Sequence, residues 1–299
     1  MTVTKMNWIK LLEEEAKQKL TPTVLEYLNR STESTYGNEE IKFNNPKKTI
    51  NKLPTILLGA VGAQTYFHED GELATAKAAA EKNIPFIVGI NSSYSVEEIS
   101  DVSNEHTLWF SANLLQDIDL TKHFVQRAEL AGYQAIVIPL SNNSVNGMDS
   151  CEKGNGNFVV DPIFHRKAYG KDKEAFQQLI LSEYNTSSVN WEKINYLQQF
   201  TTLPVYLQGD VQEQDIRQAL KYRISGVILP NGLKLRAMRD IVGEAFHLIV
   251  ETDVYSKEDI QYYLASGADA VSIQKAYIYG LSTDGISGVK KVIDQLISY

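Results

Sequence analysis

The sequence predicts a single (β/α)8 barrel of the α/β class, a TIM barrel, preceded by an N-terminal helical extension. Eight short apolar stretches alternate along the chain with amphipathic stretches, and this alternation is typical of a parallel sheet covered by helices. The count of eight favours closure into a barrel, with an open doubly wound sheet as the alternative. The length of 299 residues fits one such domain, which typically has about 250 residues, together with an extension.

The extension is predicted to cover residues 1–52 and the barrel residues 53–299. Apolar residues recur at helical spacing between Trp8 and Leu20, which predicts a first helix. We expect a second short helix over residues 23–28. A polar stretch then leads to the first strand of the barrel.

The eight predicted strands are short and apolar, as expected for parallel strands that are buried on both faces. They begin at Thr55, Pro85, Thr107, Ala135, Leu203, Gly226, His247 and Ala270. A helical pattern follows directly after every strand except the fourth. The fourth strand leads instead into a long connection, residues 141–202, which we expect to lie over the carboxyl-terminal mouth of the barrel because such long loops are usually functional.

The composition excludes several kinds of partner. The chain has 37 acidic and 29 basic residues, a net charge of -8, which argues against nucleic acid or an anionic membrane as a partner. No stretch reaches the ~20 apolar residues of a membrane span, and the first residues lack the apolar core of a secretory signal, so we expect a cytoplasmic protein. The five histidines show no spacing typical of metal ligands, so no metal is expected.

Several stretches resemble the FMN-dependent α-hydroxy acid oxidases, the family of lactate and glycolate oxidases. In chain order they are EEEAKQKLTPTVLEYL, GAVGAQTYFHEDGELATAKAAAEKNIPFIVGINSSYSVEEIS, WFSANL, AELAGYQAIVIP, VNWEKINYLQQFTTLPVYLQGD, ASGADAVSIQKAYIYGL and GVKKVIDQL. The resemblance covers nearly the whole chain in the right order. It implies the same barrel, FMN as cofactor and electron acceptor, and oxidation of a 2-hydroxy acid. In that reaction a histidine would take the substrate hydroxyl proton and arginines would bind the substrate carboxylate.

Most of the groups that this resemblance implies are replaced. Asn231 stands in the region of the histidine and arginine motif after the sixth strand, so the proton acceptor that hydroxyl oxidation needs is missing. Gln208 replaces a lysine and loses its charge. At the phosphate end, Asp253 and Tyr255 stand where the family has a glycine and an arginine, and Lys275 is a retained cation.

The resemblance still implies which residues would contact FMN and substrate if both were retained. The cofactor positions are Ala60, Val61, Gly62, Ser92, Ser111, Gln208, Glu251, Asp253, Gln274 and Lys275. The substrate positions are Tyr27, Asn113 and Asn231. No catalytic residue is predicted.

These replacements lead to two hypotheses. The first is a divergent, non-catalytic homologue, a pseudoenzyme without a cofactor, which binds FMN poorly or not at all. It would act as a binding or assembly partner, with itself, with a related barrel or with a small-molecule ligand. The main reason is electrostatic repulsion between the doubly anionic FMN phosphate and the acids at the phosphate end. Two like charges ~4 Å apart cost about 1 kcal/mol even in water. The alternative is an FMN-binding oxidoreductase with altered substrate and site chemistry, since the polar residues stand at strand ends where barrels place their sites.

Overall fold

The barrel is closed. The computed structural model describes residues 7–32, 53–103, 108–140, 153–184, 190–230, 232 and 235–297. Eight parallel strands pair in sequence order, and the first also pairs with the last. They are β1 Ile56–Leu58, β2 Phe86–Gly89, β3 Leu108–Ser111, β4 Ala135–Pro139, β5 Val205–Gln208, β6 Gly226–Pro230, β7 His247–Glu251 and β8 Ala270–Ile273. The predicted (β/α)8 barrel is confirmed, and the open doubly wound sheet is wrong.

Helices surround the barrel and precede it. The N-terminal pair is α1 Trp8–Lys19 and α2 Pro22–Thr32; the helices after β1 to β3 are α3 Gly71–Lys82, α4 Val96–Asp101 and α5 Ile118–Leu130. The β4–β5 connection carries α6 Gly156–Val160, α7 Pro162–Lys167, α8 Lys173–Glu183 and α9 Trp191–Leu197, and β5 to β8 are followed by α10 Glu213–Lys221, α11 Leu235–Val242, α12 Lys257–Ala265 and α13 Lys275–Ile297. In the part of the chain that the structure describes, no helix is both long and apolar enough to cross a membrane.

Short local signals set where several of these helices begin. The Ser95 side chain accepts a hydrogen bond from the Glu98 N–H, and the Glu98 carboxylate accepts one from the Ser95 N–H. Ser256 and Asp259 make the same reciprocal pair at the start of α12. Each capping box satisfies backbone donors that the first turn of a helix leaves unpaired. The helices therefore start at fixed points after the strand ends.

Strand side chains alternate between two environments, because successive residues of a strand point to opposite faces. One set forms an apolar cluster inside the barrel: Leu57, Ile87, Trp109, Ala135, Val137, Tyr206, Ile228, Ile249 and Ala270. The other set packs outward in a second cluster shared with the helices. Two residues beyond the inner cluster, toward the carboxyl ends of the strands, the alternation places an inward-facing ring that we call the mouth layer. It consists of Gly59, Gly89, Ser111, Pro139, Gln208, Pro230, Glu251 and Ser272.

An aromatic stack fills the amino-terminal end of the barrel. The rings of Trp109 and Tyr206 are stacked with centroids 4.5 Å apart, and the His247 ring lies nearly parallel to the Tyr206 ring with centroids 5.9 Å apart. The Tyr206 hydroxyl and Nδ1 of His247 share a hydrogen bond of 2.8 Å. Burial lowers the pKa of His247 and so favours its neutral form. This end is packed with large side chains, whereas the mouth layer has small and polar ones.

The β4–β5 connection packs partly at the rim of the mouth and partly against the outer helices. Gly154 lies so close to the loop after β2 that a Cβ there would be 2.8 Å from the Asn91 carbonyl oxygen. Further along, the buried carboxylate of Asp161 pairs with His123 at 2.6 Å and with Arg127 at 3.1 Å on α5. Gly154 thus lies beside the loops that follow β1 and β2, and the expected position of the connection over the mouth stays a prediction. Residues 141–152 and 185–189 lie outside the described residues.

Helix α13 is broken in the middle, and its two halves pack closely. Asp284 and Gly285 depart from helical geometry, and Gly285 has a φ of +50°. From sequence pattern alone, the final helix is predicted only from Gly288 onward. The backbones of Gly280 and Gly288 touch, because a Cβ at Gly288 would be 1.9 Å from the Gly280 carbonyl oxygen.

Replacing Gly288 by alanine therefore tests this contact. A methyl group cannot fit there unless the halves of α13 separate, and overpacking of this kind costs about 1–3 kcal/mol. We expect urea denaturation to show that loss of unfolding free energy for Gly288→Ala. The exposed neighbour provides the control, since Ser287→Ala should change stability by less than ~0.5 kcal/mol. Equal stabilities of the two variants would contradict the close packing.

Candidate functional site

The mouth layer contains a hydrogen-bonded group of three side chains from three strands. Nε2 of Gln208 at the end of β5 donates to both carboxylate oxygens of Glu251 at the end of β7, each at 2.9 Å. The hydroxyl of Ser272 on β8 donates to Oε2 of Glu251 at 3.2 Å. Gln208 and Glu251 are half-buried residues. The group lies at the carboxyl-terminal end of the strands, and the carboxyl of Glu251 is itself withdrawn from solvent.

Gly59, just after β1, makes room for this group. A Cβ at Gly59 would be 2.5 Å from the Ser272 hydroxyl and 3.1 Å from Oε2 of Glu251. The carboxyl of Glu251 thus extends toward the β1 side of the barrel and packs against a backbone without a side chain. The three strand ends β1, β7 and β8 meet at this point.

Glu251 holds a proton more tightly than an ordinary glutamate does. Burial of the carboxyl raises its pKa from 4.5 to about 7, and the charge of Asp253 adds to the rise. The hydrogen bonds from Gln208 and Ser272 act in the opposite direction, and burial outweighs them. Near neutral pH this carboxyl is consequently present in comparable amounts as a neutral acid and as an anion.

The predicted phosphate end contains an ion pair. Nζ of Lys275, at the start of α13, lies 2.9 Å from a carboxylate oxygen of Asp253 in the loop after β7. Beside it, Nε2 of Gln274 donates to the carbonyl oxygen of Ala60 in the loop after β1, at 2.9 Å. The lysine charge is therefore matched by one carboxylate, and the pair carries no net charge.

A buried polar network fixes the loop that follows β1. Oε1 of Glu72 accepts hydrogen bonds from the backbone N–H groups of Gln64 and Ser93, at 2.9 and 3.0 Å. The Gln64 side chain bonds to the Val61 carbonyl and to the Tyr277 hydroxyl, which in turn donates to the Gly59 carbonyl. One carboxylate thus joins the loops after β1 and β2, and the same network holds the backbone on which Gly59 lies.

Other residues singled out from the sequence occupy varied positions around the mouth. Val61 is buried, and Gly62 packs tightly against the Asn91 side chain. The buried Ser92 hydroxyl donates to the Tyr94 carbonyl and accepts from Asn157. Ser111 and Asn113 are buried, and Tyr27 on α2 packs against the rings of Tyr66 and Phe67. Asn231 lies outside the described residues, so its predicted contact with substrate remains a prediction.

Sequence reasoning missed Ser272 and the role of Glu72. Ser272 follows Ala270 by two residues, so strict alternation along β8 would have placed it in the mouth layer beside Glu251. The sequence offered no comparable signal for Glu72, which looks like an ordinary acidic residue in the first turn of a helix. Within the described ranges, no group of three or more histidine, cysteine or acidic side chains could hold a metal ion.

The fold and the site together define a class of protein, a (β/α)8 barrel with a polar mouth. A model of the family described as FMN-dependent dehydrogenase matches residues 51–298. L-lactate oxidase of Lysinibacillus sphaericus (strain C3-41) is 30% identical over 266 residues, which are 81% of this chain and 69% of that protein. 2-Hydroxyacid oxidase 2 of Rattus norvegicus is 28% identical over 248 residues, which cover 78% of this chain and 70% of that protein.

A solved structure has the same fold. Mandelate oxidase, in a crystal structure with (S)-4-hydroxymandelic acid, superimposes on this chain with a TM-score of 0.76 at 21% identity. The superposition covers 96% of this chain and 91% of the mandelate oxidase chain. Together with the family match, these relatives confirm the resemblance read from the sequence. The chain belongs to the FMN-dependent dehydrogenase family of hydroxy acid oxidoreductases.

The expectation that the chain has no cofactor is wrong. The match to an FMN-dependent family over residues 51–298, with its oxidase relatives, indicates FMN. The expectation relied on uncompensated acids at the mouth, and the structure shows both acids compensated. Glu251 holds a proton near neutral pH because it is buried, and Asp253 is paired with Lys275. In the described part of the mouth the two acids are thus compensated, and amide and hydroxyl groups are available to the polar parts of a cofactor.

The Glu72 carboxyl has a testable effect on stability. It is fully buried, Oε2 has no hydrogen-bond partner among the described residues, and burial raises its pKa from 4.5 to about 7. Because the folded pKa lies above the unfolded one, folding stability falls as pH rises between these values. Glu72→Gln keeps an oxygen for the two N–H groups and removes the ionisation.

From pH 5.5 to pH 8, the unfolding free energy of the native protein should therefore fall by about 2 kcal/mol more than that of Glu72→Gln. Urea denaturation at the two pH values measures this difference. The matched control is Glu69→Gln, an exposed glutamate three residues earlier, for which the difference should not change with pH. A constant difference for Glu72→Gln as well would show that the buried carboxyl is not the cause.

Proposed function

We propose that this chain binds FMN and is an oxidoreductase whose substrate and site chemistry differ from those of its lactate and hydroxy acid oxidase relatives. The observation that supports it most is the group of Gln208, Glu251 and Ser272 at the carboxyl ends of three strands. Active sites of barrel enzymes lie at this end of the strands. The family match supplies the identity of the cofactor.

In this proposal, residues on both sides of the mouth hold the cofactor. Gln208, Ser272 and Gln274 offer neutral amide and hydroxyl groups to its polar parts, and Lys275 offers a cation to its phosphate. When bound, FMN supplies the site with a two-electron acceptor. The protein itself contributes binding, orientation and a compensated electrostatic environment.

The substrate is proposed to be an alcohol that carries no carboxylate. The mouth layer, as defined by its eight strand-end positions, contains no cationic residue, and Lys275 nearby is already paired with Asp253. A carboxylate would find no charged partner in that layer and would meet Glu251. Charged hydrogen bonds are the strong ones in carboxylate recognition, so their loss changes the class of substrate.

A second candidate is a barrel that binds FMN but catalyses no reaction, and that acts in an assembly with itself or with a related barrel. It is favoured by a mouth layer without a histidine, since a histidine most often performs proton transfer in enzymes. The two candidates differ in one measurable property, the reduction of bound FMN by a substrate.

The first experiment is purification and reconstitution with FMN, followed by anaerobic mixing with alcohols. We expect a yellow protein with about one FMN per chain, whose flavin absorbance is bleached by an uncharged alcohol and not by lactate or glycolate. The visible spectrum gives both the number of FMN molecules per chain and the loss of flavin absorbance. Bleaching by no alcohol would favour the second candidate, and a colourless protein that stays colourless with added FMN would contradict both.

The Lys275–Asp253 pair gives a second test of the cofactor site. Asp253→Asn leaves the lysine free for the FMN phosphate, and a gain of about 1 kcal/mol for one exposed charge at ~4 Å corresponds to roughly fivefold tighter binding. Lys275→Gln should weaken FMN binding by a similar factor. Fluorescence titration of FMN measures both values.

The control for net charge is Asp101→Asn, an exposed residue at the end of α4, which should leave the FMN Kd unchanged. If Asp253→Asn and Lys275→Gln also bind FMN as the native protein does, the phosphate is held elsewhere.

A further inference from the structure

Glu251 is the single ionisable residue of the mouth layer. The other seven members are glycines, prolines, serines and one glutamine. Its carboxyl lies between Gln208 on β5 and Ser272 on β8 and packs against Gly59 after β1. Within the mouth layer, only Glu251 can therefore gain or lose a proton.

The groups around Glu251 are neutral or already compensated in the described part of the chain. On its own strand end, Asp253 is negative and is paired with Lys275 from α13. Also on α13, the Tyr277 hydroxyl donates to the Gly59 carbonyl, and burial raises its pKa well above the ordinary tyrosine value, so it stays protonated. No described contact gives Glu251 a cationic partner.

We propose that Glu251 is a ligand-linked proton site, which takes up a proton when a ligand brings negative charge into the mouth and releases it when the ligand leaves. The identity of the ligand as FMN rests on the proposed function. The proton site itself rests on the position of the carboxyl, its three hydrogen bonds and the lack of a cation in the mouth layer.

Electrostatics gives the direction of the coupling. A carboxylate and an anionic ligand repel each other, so the ligand binds more tightly to the protonated form of Glu251. The burial that raises the pKa of Glu251 to about 7 means that protonation near neutral pH costs little free energy. A barrel without cationic residues in this layer can thus accept negative charge by binding a proton.

The neighbouring side chains can hydrogen-bond with either state of Glu251. Nε2 of Gln208 donates to the carboxylate in the structure. An amide also has an acceptor oxygen, so after rotation Gln208 can accept a hydrogen bond from the protonated acid. The Ser272 hydroxyl can likewise donate or accept. A lysine at position 208 could not accept a hydrogen bond from the O–H of the protonated acid.

The test compares the pH dependence of FMN binding in the native protein and in Glu251→Gln. If binding requires protonated Glu251, a pKa of about 7 makes the native Kd rise about tenfold more than the variant Kd between pH 6 and pH 8. The FMN phosphate also titrates near pH ~6, but it does so in both proteins and cancels in the ratio. The control is Asp101→Asn, an exposed residue at the end of α4, which should keep the native pH dependence.

A ratio of the two Kd values that stays constant within about twofold would overturn the proposal. A second measurement does not depend on FMN and is made in a Glu72→Gln background, because the buried Glu72 carboxyl also has a pKa of about 7. In that background the infrared band of a protonated carboxyl should be present at pH 6, disappear with a midpoint near 7, and be missing once Glu251→Gln is added. If no FMN binds at any pH, the proposed function fails, and this infrared midpoint decides the proposal. A midpoint below pH 5 would overturn it.

Discussion

Closure of the eight-stranded barrel is the constraint on which the site depends. Hydrogen bonding between β1 and β8 completes the ring, and alternation then directs every second strand residue toward the interior. Gln208 and Glu251 are 43 residues apart in sequence, and they meet because their strands flank β6. Gly59 allows the carboxyl to lie against the β1 side. In an open sheet β1 and β8 would be edge strands, and this contact would not form.

The net charge of the mouth depends on whether each acid is protonated or paired with a cation, and not simply on the number of acids. Glu251 is partly neutralised by a proton because burial disfavours its ionised form, and Asp253 is neutralised by Lys275. Reading these two acids as uncompensated led to the wrong expectation that no cofactor binds. The same compensation explains how a barrel with few cations among the described residues of its mouth can belong to an FMN-dependent family.

The fold could be predicted from the sequence because its signals are local and repeated. Apolar strands followed by amphipathic helices identified the barrel, and Gln208, Glu251 and Lys275 were found because they follow strands. The pairing of Lys275 with Asp253, and the proton held by Glu251, depend on distances between loops and on burial, which sequence spacing does not report. The break in α13 depends on contact between Gly280 and Gly288, which only the folded chain brings together.

The most direct measurement is a crystal structure of the chain prepared with FMN. We expect flavin density at the mouth, with polar atoms of the cofactor within hydrogen-bond distance of Gln208 or Ser272 and its phosphate near Lys275. Density for FMN at another place on the molecule, or a mouth that stays empty at saturating FMN, would contradict this expectation.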